Sequence, residues 1–288
     1  MIQISGHTKL AGLLGNPISH SISPAMHNEA FKQLGMDCVY LAFDADTERM
    51  PSAIEAFRAL NVLGFNVTMP GKNIAAKLCD ELSPAAHFTD SVNTVVNQNG
   101  HFIGYNTDGI GYMRSVKEAG HNVIGKKMTL LGAGATASSI LTQAALDGVS
   151  EISVFSRKSA SFDHAKQLID TLNQSTSCKL NLYDIENKEL LKQEISESVL
   201  LTNATSVGMT PNEGTSLIED TSYFHPDLVV SDVIYKPRET KLLTIAKQAG
   251  CQTFNGLYML LFQGAAAFEL WTGKEMPVDI IKKKYFSE

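Results

Sequence analysis

An α/β protein of two domains is the fold class the sequence predicts, and three observations predict it. Apolar strand-like runs alternate with segments of helical period along the whole length, the pattern of mostly parallel sheets covered by helices. A glycine-containing run, Thr129-Leu-Leu-Gly-Ala-Gly-Ala-Thr-Ala137, sits between such a strand and an amphipathic helix. The third is length: 288 residues are too many for one typical domain and comfortable for two.

The elements follow in order from local signals. Residues 11–14 read as a short buried strand. Residues 23–34 read as a helix, with Ser23 as N-cap, Pro24 at the first helical position and Gly35 as its stop. A strand at 39–43, a proline-opened helix at 51–60 and a strand at 65–69 ended by Pro70 come next. Strands at 92–96 and 101–105 flank Asn99-Gly100, a type I′ hairpin signal, and add antiparallel strands to the first sheet. A connecting helix at 109–119 stops at Gly120. Then come a strand at 127–131, the glycine loop, a helix at 135–146 stopped by Gly148, and a strand at 151–155. Further strands near 179–183, 199–203, 228–233 and 251–254 alternate with helices. Two last helices, 256–270 and 277–285, are too small for a core of their own and are expected to return to the first domain. The predicted division is 1–107, completed by 256–288, and 108–255.

Composition excludes several classes. The net charge of −6 argues against a nucleic-acid surface. The one basic cluster, Lys282-Lys283-Lys284, reads as a solvated helix face. The four cysteines, Cys38, Cys79, Cys178 and Cys251, form no C-x-x-C pair and no zinc-ligand spacing, as expected of reduced thiols in a reducing compartment. There is no charged n-region followed by an apolar h-region, and no apolar run approaches about 20 residues. The expectation is a soluble cytoplasmic protein with no metal, membrane or nucleic-acid partner.

The glycine loop carries the first chemistry. Gly132 allows a tight turn out of the strand, Gly134 lets a diphosphate approach the backbone, and Ala137 lets the helix pack close to the sheet. Amides at the helix start, with the positive end of its dipole, favour the anion. The pattern reads as a Rossmann-type NAD(P) site, the alternative being a glycine-rich turn that holds no ligand. At the end of the second strand an acid would select NAD, but here Ser156-Arg157-Lys158 follows Phe155, and the nearest acid in the chain is Asp163. Arg157 and Lys158 suit a 2′-phosphate and favour NADP. A solvated basic turn beside an NAD-tolerant pocket is the alternative.

The first domain carries polar residues at strand ends. Ser21 and Ser23 stand two apart before a helix and form a carboxylate cradle. Thr68 and Lys72 lie just past a strand, Asn93 at a strand start and Asp108 at the mouth of the next helix. Each has a plain structural explanation, yet together in one small domain they suggest a substrate site.

The blocks GNPISHSISP, NVTMPGK, SVNTVV, GYNTDGIG, LLGAGATAS, LTNATSVGM, SDVIYKP and YMLLFQGAAAFELWTG run almost end to end. Through them the chain resembles the shikimate dehydrogenase family, including its quinate/shikimate branch. The resemblance implies an N-terminal substrate domain, a Rossmann-type domain and a cleft between them. It also implies reversible, NADPH-linked reduction of 3-dehydroshikimate to shikimate, on the route to chorismate and the aromatic amino acids. It assigns the substrate carboxylate to Ser21 and Ser23, and the ring hydroxyls to Thr68, Lys72, Asn93, Asp108 and Gln263. Tyr235 lies near the substrate from the cofactor domain. Gly132, Ala133, Gly134, Ala135, Thr136, Ser156, Arg157, Lys158, Ile234 and Gly256 go to the cofactor.

The pattern departs from the family in three places. Ala135-Thr136 replaces the second half of the usual GAGGA loop, and Ser156-Arg157-Lys158 replaces Asn-Arg-Thr. Ser159 stands where the NAD-using branch has an acid, and the late blocks look closer to the quinate/shikimate branch. Lys72 is expected to donate a proton in reduction and accept one in oxidation, with Asp108 orienting it. The competing readings are a quinate/shikimate enzyme using NAD and a non-catalytic sensor of a shikimate-like ligand. A sensor would lack the lysine or the aspartate. The expected assembly is a monomer or homodimer.

Overall fold

Short apolar runs punctuated by glycine and proline set the element boundaries. The computed structural model describes residues 4–287. It opens with β1 (Lys9–Gly15), α1 (Ser23–Gln33), β2 (Cys38–Asp44), α2 (Met50–Ala59) and β3 (Gly64–Val67). Then come α3 (Lys72–Leu78), β4 (Glu81–Leu82), α4 (Pro84–Thr89), β5 (Thr94–Gln98), β6 (His101–Tyr105) and α5 (Asp108–Glu118). The middle of the chain holds β7 (Lys127–Leu131), α6 (Ala135–Asp147), β8 (Glu151–Ser156), α7 (Ala160–Ser175), β9 (Lys179–Asp184) and α8 (Lys188–Ser196). It ends with β10 (Leu200–Asn203), β11 (Val229–Asp232), α9 (Lys241–Gln248), β12 (Gln252–Phe254), α10 (Leu257–Thr272) and α11 (Val278–Ile281), the last running into a π-helical turn, Lys282–Phe286.

The chain divides into two units. One takes the residues up to Gly111 and those from Leu261 on; the other is Tyr112–Leu260. The crossings fall inside α5 and α10, a few residues past the 107/108 and 255/256 positions read from the sequence, because a helix runs through each.

The first unit is built on a mixed sheet in the order β2-β1-β3-β5-β6-β4. β1 pairs in parallel with β2 and β3, while β5 runs antiparallel to both β3 and β6. The β5–β6 turn has positive φ at Asn99 and Gly100, as a type I′ turn requires. Edge-to-face contacts link Phe43, Phe57, Phe65 and Phe102 through one layer of the core. On α10, Trp271 donates from its indole nitrogen to Val95 O at 2.9 Å. Its ring covers Gly64, where a Cβ would come within 2.3 Å of it; only glycine lets the helix seat this close.

Several sequence expectations change here. The strand read at 65–69 stops at Val67. Helices α3 and α4 were not foreseen, since six or seven residues hold less than two turns of pattern. Ser23 is not an N-cap: Ile22 occupies that position without a side-chain cap, and Ser23 begins the helix. The basic C-terminal cluster is not purely a solvated face, because Lys284 Nζ pairs with Glu29 Oε2 at 2.6 Å and fastens the last turn to α1.

The second unit is a six-stranded, all-parallel sheet in the order β12-β11-β10-β7-β8-β9. The strand order reverses between β7 and β10, and in doubly wound sheets ligands bind at the carboxyl ends of strands where it does so. Leu131, Phe155, Leu201, Val230 and Leu242 are among its core residues. Tyr112, fully buried, hydrogen-bonds Thr202 and Ser231 across two strands, and burial pushes its phenol up to about 12. Among the described residues no helix is long and apolar enough to cross a membrane. The four cysteines are free thiols.

Candidate active site

Lys72 and Asp108 are each the first residue of a helix, α3 and α5. Lys72 Nζ donates to Asp108 Oδ2 at 2.6 Å, and both side chains are mostly shielded, at 23% and 17% exposure. Asp108 Oδ1 accepts from Asn93 Nδ2 at 2.8 Å. The Asn93 amide can face only one way. Its Oδ1 accepts from Thr107 N at 2.8 Å, Thr107 Oγ1 at 3.1 Å and Thr94 Oγ1 at 3.1 Å, so its NH2 must point to Asp108. The same NH2 lies 3.5 Å from Gln263 Oε1 on α10. Lysine, aspartate, asparagine and glutamine, far apart in sequence, therefore form one hydrogen-bonded cluster. It offers a cation and a proton donor beside fixed amide groups, which suits charge growing on a substrate oxygen.

Ser21 and Ser23 lie together at the start of α1. Ser23 N donates to Ser21 Oγ at 3.2 Å, so Ser21 does part of the helix-start work that the sequence reading gave to Ser23. Ser23 itself is buried. Thr68 follows β3, with its amide bonded to Leu14 O at 2.9 Å, and its methyl group packs where a Gly15 Cβ would stand, at 2.2 Å. No direct bond joins Thr68 to the lysine cluster among the described residues.

In the second unit the glycine loop leaves β7 for α6. Gly132 has φ +116°, and a Cβ there would meet Ala204 O at 2.9 Å, so the turn out of β7, packed against the end of β10, excludes a side chain. Gly134 is the α6 N-cap with no side-chain cap, and a Cβ on it would find nothing within 4 Å. The amides of Ala135 and Thr136 begin that helix. Open backbone at a helix start fits a dinucleotide diphosphate. Arg157 and Lys158 are exposed just beyond β8.

Comparison with known proteins agrees with this arrangement. Residues 13–95 match the family model for the shikimate dehydrogenase substrate binding domain, and residues 256–284 match that for the shikimate 5'-dehydrogenase C-terminal domain. A shikimate dehydrogenase (NADP(+)) of Listeria monocytogenes is 55% identical over 284 residues, covering 99% of this chain and 98% of that one. The chain belongs to the shikimate dehydrogenase family. The crystal structure of shikimate 5-dehydrogenase from Listeria monocytogenes, in complex with shikimate and NAD, superposes with a TM-score of 0.95 at 55% identity over 98% of this chain and 97% of that one. Quinate dehydrogenase from Corynebacterium glutamicum, in complex with NAD, superposes with a TM-score of 0.85 at 29% identity over 98% and 99%.

Several functional neighbours escaped the sequence reading of this family member. Asp184 ends β9 opposite Ser156 in register, and its carboxylate lies 3.5 Å from Lys158 Nζ. Asp184 is therefore an acid that faces the basic turn. The available signal was the polar end of the neighbouring strand. Asp232, at the end of β11, accepts from Asn203 Nδ2 at 3.1 Å, Thr240 Oγ1 at 2.8 Å and Ile234 N at 3.0 Å. Burial nevertheless pushes its carboxyl up to about 6. Ile234 is thus buried and held by Asp232, while Tyr235 beside it is 40% exposed. Gly256 has a packing reason for being glycine, since a Cβ there would stand 1.9 Å from Val233 O. No group of three His, Cys, Asp or Glu residues able to hold a metal occurs among the described residues.

Proposed function

We propose that this chain catalyses the reversible, NADPH-linked reduction of 3-dehydroshikimate to shikimate. The observation that carries the reading is the Lys72–Asp108 pair, 2.6 Å apart and braced by Asn93. A sensor would need neither a shielded lysine nor a carboxylate to hold it. The relatives support shikimate over quinate as the first substrate, with 55% identity to the shikimate enzyme against 29% to the quinate enzyme.

In this reading Ser21 and Ser23 take the substrate carboxylate through their hydroxyls and the open start of α1. Thr68, Asn93 and Gln263 bind ring hydroxyls, with Tyr235 completing the set. Gly132, Ala133, Gly134, Ala135 and Thr136 hold the diphosphate. Ser156, Arg157 and Lys158 hold the adenosine end, Arg157 being the fork suited to a 2′-phosphate. Ile234 and Gly256 close the cofactor site. When bound, the reduced nicotinamide supplies the hydride. Lys72 donates its proton to the carbonyl oxygen as that oxygen becomes a hydroxyl, and in oxidation the neutral amine takes a proton back. Asp108 holds the lysine nitrogen in place and accepts from the reacting hydroxyl. On this reading the enzyme is cytoplasmic and works as a monomer or homodimer.

The test is a matrix of kcat/KM for shikimate and quinate, each with NADP and NAD. The expected order places shikimate with NADP first. A preference for NAD would overturn the role given to Arg157 and Lys158, and absence of turnover with every pair would overturn the enzyme reading.

A further inference from the structure

We propose that Tyr40, Asn66 and Thr94 are positioning residues that act through Asn93 to hold Asp108, and with it Lys72, in place. The proposal rests on the roles given above to Lys72 and Asp108. Tyr40 OH donates to Asn66 Oδ1 at 2.8 Å. Asn66 Nδ2 donates to Thr94 Oγ1 at 3.0 Å and to Asn93 O at 3.0 Å. Thr94 Oγ1 donates to Asn93 Oδ1 at 3.1 Å, and Asn93 Nδ2 reaches Asp108. The donors run in one direction from Tyr40 to Asp108. Asn66 cannot flip, because its carbonyl would then face Asn93 O.

This chain lies in the interior: Tyr40 and Thr94 are fully buried, and Asn66 and Asn93 are 6% and 3% exposed. Buried polar groups stabilise a fold little better than apolar groups of the same volume, and one left unpaired is costly. What a fully paired chain does instead is select a single arrangement. Here that arrangement joins the Thr107 amide and hydroxyl in holding the Asn93 amide against Asp108.

Removing the Tyr40 hydroxyl leaves Asn66 Oδ1 without its donor and loosens the path to Asp108, an effect on the lysine–aspartate pair rather than on substrate binding. Generalised damage to the site would weaken binding and turnover together.

The experiment compares wild type with Tyr40→Phe, Thr94→Val and Thr94→Ser in shikimate oxidation. Side-chain amide NMR of 15N-asparagine-labelled protein accompanies it, with the Asn93 signals assigned by their loss in Asn93→Asp. Tyr40→Phe is expected to lower kcat about tenfold, within the range that small misplacements of catalytic groups produce, with KM for shikimate nearly unchanged. Thr94→Val should do likewise, and Thr94→Ser, which keeps the hydroxyl, should restore kcat. The Asn93 amide signals should move in ligand-free Tyr40→Phe. Unchanged kcat, a rise in KM matching the fall in kcat, or no rescue by Thr94→Ser overturns the proposal. Unmoved Asn93 signals overturn it whether or not shikimate is turned over. Absence of shikimate turnover in wild type defeats the functional reading instead, and the NMR comparison then decides the proposal alone.

Discussion

His27 is the most exposed point of this fold to acid, although it is buried completely. Its ring lies 4.5 Å from that of Tyr40, 5.1 Å from Trp271 and 6.2 Å from Phe268. Among the described residues neither ring nitrogen has a hydrogen-bond partner. Burial alone lowers its pKa from 6.5 to about 3, so folding holds the ring neutral where the unfolded chain would protonate it. The sign follows from proton counting. Below pH 6.5 the unfolded state binds one more proton than the folded state, and stability falls as pH falls, until the folded ring itself titrates near 3. The full span corresponds to on the order of 5 kcal/mol at 1.36 kcal/mol per pH unit, a large part of the stability of an ordinary domain.

His27→Phe removes the titration and keeps an aromatic ring in the stack. At neutral pH the two effects of the change oppose each other. Losing an unpaired buried polar group gains about 1–3 kcal/mol, and the larger ring costs a similar amount in crowding. The pH dependence is not subject to that cancellation. Between pH 6.5 and 4.5 the variant should gain on wild type by about 2.3 kcal/mol, the difference given by proton linkage for the two pKa values. The assay is urea unfolding followed by tryptophan fluorescence. Trp271 is the sole tryptophan and touches the His27 ring, so the signal reports this unit. Parallel stability curves over that pH range would refute the reasoning, because they would mean that the buried imidazolium finds a partner.

Three further outcomes follow from the same geometry. Lys72→Ala should lower turnover at least about a hundredfold with shikimate affinity nearly unchanged, the usual size of an acid–base contribution, as checked by steady-state kinetics and calorimetry. Asp184→Asn should free Lys158 from its neighbour at 3.5 Å. As Lys158 is 77% exposed, the gain in kcat/KM for NADP over NAD should stay within about fivefold, the worth of an exposed pair. For Asp232 the raised folded pKa of about 6 means that its contribution to stability is fully present below 3.8 and lost as pH rises through 6. Relative to wild type, Asp232→Asn should therefore gain about 2 kcal/mol between pH 4.5 and 7, as read by circular dichroism. A variant that loses stability relative to wild type as pH rises would contradict that sign.

Much of this was legible because the relevant physics is local. The tight turn at Gly132, the hairpin at Asn99-Gly100 and the helix stop at Gly148 all depend on positive φ, and such positions announce themselves in a sequence. The alternation of strand and helix patterns likewise marks the doubly wound sheet. Illegible were features whose cause is distant in sequence. Nothing near Ser156 signals Asp184, which arrives on the next strand. Nothing near Lys72 indicates a seven-residue helix, since its pattern is too short to stand out from noise.

The candidate site shows the same division in its chemistry. Lys72, Asn93 and Asp108 stand out because polar residues interrupt apolar runs at strand ends. Tyr40 and Asn66 interrupt such runs too, inside β2 and β3, yet a tyrosine or asparagine in a strand has many bland explanations. Only the three-dimensional pairing distinguishes them. Tyr40 meets Asn66 across 26 positions of sequence, and Asn66 meets Thr94 across 28. Each bond alone is ordinary. Because every acceptor in the series is already assigned its donor, replacing one member changes what the next can bond. The orientation of Asp108 is therefore a property of the sheet beneath it as much as of the residues that touch it.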